Sequence, residues 1–96
     1  YEECLCRELQ LQGLAVSRQV ALPMVYKGIA LECGYRLDIV VQELVALELK
    51  SVAAFEPIHL AQVLTYLKLS GLHLGILLNF NVPLMKNGIK RVVNNL

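Results

Sequence analysis

Apolar positions recur along the chain with two different periods. From Tyr1 to about Gln12, Leu5, Leu9 and Leu11 fall near helical spacing, Glu2, Glu3, Arg7 and Glu8 fill the other side, and Gly13 follows as a stop. This predicts an amphipathic helix. From about Ser17 to Tyr26 the chain is rich in Val, Leu and Gln with Pro23 inside, the mark of an edge strand, and Lys27-Gly28 reads as a turn. Ile29 to Val41 is a second extended run, with Gly34 as a bulge or close-approach point, and Leu44 to Lys50 is a third. Three successive strands form a meander. Pro57 stands where the first residue of a new helix would fall, and Ile58, Ala61, Leu64, Leu67 and Leu69 carry an apolar stripe ending at Ser70-Gly71. Leu74 to Asn79 has strand length, Lys86-Asn87-Gly88 signals a turn, and Ile89 to Val93 is a last short strand. The predicted order is helix, three strands, helix, strand, strand, with neither repeats nor linkers.

Composition narrows the class. With 96 residues, 56% of them hydrophobic and 18% charged, the chain is expected to form one globular domain over residues 1–96, since chains split into separate cores only beyond roughly 250 residues. The apolar stretches are interrupted by Glu43, Glu48, Lys50, Lys68 and His73, so no uninterrupted run reaches the ~18 residues of a membrane span. Nine basic and eight acidic residues give a net charge of +1, too balanced for a non-specific polybasic nucleic-acid binder. Cys4, Cys6 and Cys33 are odd in number and lack metal-ligand spacing, which fits free thiols in a reducing cytoplasm. The abrupt opening on Tyr1-Glu2-Glu3-Cys4, without an initiator Met or a cap residue, leads us to expect further residues upstream.

The chemistry concentrates on two strands. Alternation places Ala46, Glu48 and Lys50 on one face of their strand and Val45, Leu47 and Leu49 on the other. On the preceding strand Tyr35, Leu37, Ile39 and Val41 share one face, and Arg36, Asp38 and Val40 the opposite one. For Asp38 to face Glu48 the hairpin needs an odd-numbered loop, such as Gln42 to Leu44 with Val41 opposite Val45, or a bulge. Two carboxylates converging there form a hard-oxygen site for Mg²⁺ or Mn²⁺, and Lys50 beside them suits orientation of water or neutralisation of charge on a phosphate. The competing reading is a solvated strand in which Lys50 pairs with one of the acids across the sheet.

Four blocks, Gly34-Tyr35-Arg36-Leu37-Asp38, Leu47 to Val52, His59 to Lys68, and Asn79 to Val82 with Gly88 to Arg91, occur in an order and spacing that resembles the GxxExxY proteins, a branch of the PD-(D/E)XK nuclease superfamily. The similarity covers essentially the whole chain. It implies an α/β (α+β) fold with a restriction-endonuclease-like αβββαβ core, a mixed sheet flanked by helices, the first helix truncated. It implies that Asp38 and Glu48 hold the divalent metal and that Lys50 is the catalytic lysine. Gln62 and Tyr66, four residues apart on one helix face, look like the Q-x-x-x-Y element of exonuclease V-type nucleases, with Gln62 orienting the site and Tyr66 lining the nucleic-acid path. The name motif ends at Tyr1, so its Gly and Glu would precede this chain, and Leu60 stands where the family usually has an acid.

Lys68, Lys90 and Arg91, with Lys86, are candidates for a phosphate-contacting rim. Tyr26, Tyr35 and Phe80 read as core or groove packing, His59 as a helix-start residue and His73 as surface or structural. No P-loop, dinucleotide-binding glycine pattern, Ser-His-Asp set or Cys-His nucleophile occurs. The sequence therefore points to a Mg²⁺- or Mn²⁺-dependent phosphodiesterase acting on nucleic acid, DNA or RNA. The alternatives are a nuclease-fold binding or regulatory module without chemistry, and a homo-oligomeric interaction protein that covers exposed apolar surface.

Overall fold

A computed structural model describes residues 1–26, 29–82 and 85–95; for residues 23–26, 29–34 and 85–86 it describes the backbone alone. The elements are α1 (Glu2–Leu11), β1 (Val16–Tyr26), β2 (Ile29–Val41), β3 (Val45–Lys50), α2 (Pro57–Ser70), β4 (Leu74–Asn79) and β5 (Ile89–Val93), with a 3₁₀ turn at Met85–Gly88. This is the predicted order. The Lys27-Gly28 turn lies outside the described residues. No helix among the described residues is long and apolar enough to cross a membrane.

Five strands form one mixed sheet in sequential order, antiparallel throughout except for the parallel β3–β4 pair that α2 connects. β1 is an edge strand, where Pro23 withholds no rung from a further neighbour. Alternation on β2 and β3 divides the core into two layers. Ile39, Val41 and Leu47 pack with Cys6 of α1, while Val40 and Ala46 pack with Val63, Tyr66 and Leu67 of α2. The α2 layer is tight over β4: a Cβ placed on Gly75 would lie 2.7 Å from Val63 Cγ1.

Both helices end as their sequence dictates. Gly13 (φ 84°) and Gly71 (φ 76°) supply the left-handed residues that close α1 and α2. At the start of α2, Pro57 follows an extended Glu56, whose N–H is accepted by His59 Nδ1 at 2.9 Å. His59 thus caps the helix rather than approaching the site.

One expectation about β2 is corrected. Leu37 does not share a face with Ile39 and Val41 but joins Val40 in the α2 layer. The break coincides with one on the neighbouring strand. Gln19 adopts φ 50°, and the β1–β2 ladder passes from Arg18↔Ile39 to Val20↔Leu37 without the Gln19–Asp38 rung. Arg18 and Gln19, consecutive residues, both turn to Glu2 of α1, at 2.8 and 2.7 Å, which regular alternation forbids. The register of this ladder holds across Gln19 and shifts between Ala21 and Pro23, opposite the stretch that contains Gly34.

Candidate active site

The turn between β2 and β3 determines what Asp38 faces. Gln42 and Glu43 are both left-handed (φ 56° and 57°), and Leu44 N donates to Val41 O at 3.0 Å, which closes a tight turn. Leu44 is nevertheless an extra residue, because the ladder pairs Val41 with Val45, Val40 with Ala46 and Ile39 with Leu47. Continued by one rung, this register sets Asp38 opposite Glu48.

That rung is made by side chains. Glu48 Oε1 accepts the N–H of Asp38 at 2.9 Å, and Asp38 Oδ2 accepts the N–H of Leu49 at 2.9 Å. β2 and β3 part at this point, and the carboxylates satisfy the backbone donors that the ladder leaves behind. Glu48 is 3% exposed, whereas Asp38 is half-buried. Burial raises the Glu48 carboxyl to about 7; the Asp38 N–H and the Lys50 charge oppose this rise, and the Asp38 charge adds to it.

Lys50 leaves β3 on the face of Glu48 and donates from Nζ to Gln62 Oε1 at 3.1 Å. Gln62 Nε2 in turn donates to Tyr66 Oη at 3.0 Å. One amide thereby fixes the lysine and the tyrosine together, through the i, i+4 relation on α2. Arg18–Glu2 is the one ion pair among the described residues, so the Lys50 amine is not consumed by a carboxylate across the sheet. Burial raises the Tyr66 hydroxyl above its ordinary value, and the Glu48 charge adds to the effect.

Asn79 holds the end of β3 in place, a role the sequence reading did not assign. It lies beside Lys50 in the parallel ladder and is 2% exposed. Its Oδ1 accepts from Val52 N and Asn81 N, both at 3.1 Å, and its Nδ2 donates to Val52 O at 2.8 Å. Phe80 N donates to Lys50 O at 3.0 Å. A Cβ on Gly88 would overlap the Asn79 carbonyl, so the turn before β5 must be that narrow. The available signal was a polar residue ending the apolar run Leu74 to Leu78.

The remaining candidates lie apart. Lys68 is exposed, two residues past Tyr66 and so on the far side of α2. Lys90 pairs with Leu77 of the α2 layer and Arg91 with Ile76 of the α1 layer, so these exposed cations point to opposite faces of the sheet. The Lys86 side chain lies outside the described residues. His73 meets Asn94 O at 3.2 Å, a structural contact.

The donor set fits a small hard cation. The described hydrogen bonds use one oxygen of each carboxylate, and two carboxylate ligands completed by water suit Mg²⁺ or Mn²⁺ better than a softer metal. Among the described residues no cluster of three His, Cys, Asp or Glu side chains could hold a metal. No curated protein and no solved structure matches the chain. The profile of the PD-(D/E)XK nuclease superfamily matches residues 1–92, nearly the full length and the whole of the Asp38, Glu48 and Lys50 constellation. The mixed five-stranded sheet between two helices is consistent with a restriction-endonuclease-like core, and the chain belongs to the PD-(D/E)XK nuclease superfamily.

Proposed function

We propose that the protein is a Mg²⁺- or Mn²⁺-dependent phosphodiesterase that cleaves nucleic acid, of the GxxExxY branch. The observation that carries this reading is the arrangement of Asp38 and Glu48 across the β2–β3 fork with an unpaired-to-acid Lys50 amine on the same face. Asp38 and Glu48 would hold the ion. When bound, it supplies Lewis-acid activation of water and neutralisation of charge at the phosphate. Lys50 Nζ, a three-proton donor, stabilises negative charge that develops on the phosphate oxygens. Gln62 restricts Lys50 to that position, and Tyr66 restricts Gln62. Cys4 and Cys6 are free thiols, which is in keeping with a reducing, cytoplasmic setting.

The test is cleavage of end-labelled DNA and RNA in Mg²⁺ or Mn²⁺, together with calorimetric titration of Mn²⁺, on the wild type, Glu48→Gln and Lys50→Ala. Cleavage that both substitutions abolish, with Mn²⁺ binding lost in Glu48→Gln alone, supports the proposal. A wild type that binds nucleic acid but neither binds Mn²⁺ nor cleaves would make the protein a nuclease-fold binding module.

A further inference from the structure

We propose that Tyr35 is a stacking platform for an unpaired nucleobase next to the scissile phosphodiester, and that the substrate is single-stranded nucleic acid. The proposal rests on the nuclease reading above. The two tyrosines of the site differ sharply in exposure: Tyr66 is 7% exposed and Tyr35 is 54% exposed. Their ring centroids are 5.6 Å apart, with planes inclined by 35°. Tyr66 supports the Tyr35 ring from within and leaves much of it open to solvent.

The pair is tied to the reactive groups. Tyr66 bonds Gln62, Gln62 bonds Lys50, and Asp38 stands three residues beyond Tyr35 on β2. A phosphate held at Lys50 therefore has an exposed, pre-positioned ring within reach of the adjoining nucleotide. Gln62 and Tyr66 have Cβ atoms only about 5–6 Å apart on one helix face. An aromatic face accepts any base and loses little side-chain freedom on doing so. In a duplex the base faces are already covered by their neighbours, so such a platform selects unpaired bases. The core or groove packing expected for Tyr35 from the sequence is met on one side by Tyr66 and leaves the exposed part of the ring without an assigned partner.

The test uses the full chain as wild type, Tyr35→Ala, Tyr35→Leu and Tyr35→Trp, each checked for folding by thermal melting. Affinity is read by fluorescence anisotropy in Ca²⁺ with a labelled single-stranded oligonucleotide and its duplex. We expect Tyr35→Ala and Tyr35→Leu to weaken single-strand binding roughly five- to hundredfold, Tyr35→Trp to retain it, and duplex binding to be unchanged. Leu preserves apolar bulk without a π face, so a merely structural role predicts that Leu retains binding. Equal affinities of wild type and Tyr35→Ala for the single strand, or equal losses on both probes, would overturn the proposal. A wild type that cleaves in Mn²⁺ yet shows no dependence on Tyr35 removes this inference and leaves the nuclease reading standing. One that binds neither probe, does not bind Mn²⁺ and does not cleave removes both.

Discussion

Asp38 and Glu48 each accept a main-chain N–H from the other's strand, the first from Leu49 and the second from Asp38 itself. The same carboxylates that would hold a cation therefore also complete the backbone. Asp38→Asn and Glu48→Gln keep an oxygen for each bond and remove only charge. Both variants are expected to fold with a melting temperature at or above that of the metal-free wild type, and to lose Mn²⁺ binding by calorimetry. Asp38→Ala, which leaves the Leu49 N–H without its partner, should destabilise by about 1–3 kcal/mol in urea titration.

The raised Glu48 carboxyl makes metal-free stability depend on pH. Its value moves from 4.5 to about 7 in the folded protein, so between these limits the native state binds more protons than the unfolded chain. This contribution is fully present below pH 4.5 and is lost as pH rises through about 7. Melting temperatures of the metal-free protein should show this fall over that window, and Glu48→Gln should remove it. Saturating Mg²⁺ should also flatten the slope, because a bound cation favours the ionised carboxylate.

Function and stability should separate by parity along β3. Glu48→Gln and Lys50→Ala remove charge on the polar face and should abolish cleavage with the fold retained. Leu47→Ala empties a buried position of the α1 layer and should cost roughly 2–5 kcal/mol. Leu49 is only half-buried, so Leu49→Ala should cost less. Denaturant titration and a cleavage assay on the same four variants check both halves.

Gly75→Ala probes the seating of α2. The added methyl would lie 2.7 Å from Val63 Cγ1 and 3.3 Å from Leu67 Cδ1, and both side chains are fully buried. Relief requires these side chains or α2 itself to shift, and a shift of α2 would carry Gln62 and Tyr66 with it. We expect a cost of about 1–3 kcal/mol and a fall in kcat larger than that loss explains at temperatures where the variant is fully folded.

Most of the element order was legible because each period was unambiguous. Pro57 and Gly71 bracket α2, and Gly13 ends α1, through backbone preferences that act locally. The need for an odd-numbered loop was likewise readable, since it follows from counting alone. Which loop forms was not, because Gln42 and Glu43 take left-handed conformations that neither residue prefers. The face of Leu37 differs for a related reason: β1 and β2 change face together at the missing Gln19–Asp38 rung, where Gln19 is held by Glu2 of α1 and Asp38 by β3, contacts that local alternation does not encode. The clamping role of Asn79 was not legible because its partner Val52, 27 residues away, becomes a neighbour only after β3 and β4 align.

The Asn79 clamp also gives the site an order of assembly. The Asp38–Glu48 contact closes 10 residues of chain, whereas the Asn79–Val52 contact closes 27, a difference of about 0.9 kcal/mol in loop entropy. The acids can meet within a single hairpin, but Lys50 is anchored at its carbonyl only when the far strand has arrived. A chain emerging from synthesis would thus bring its acids together and, through Gln62 twelve residues on, hold the Lys50 amine before Asn79 and Phe80 lock the end of β3.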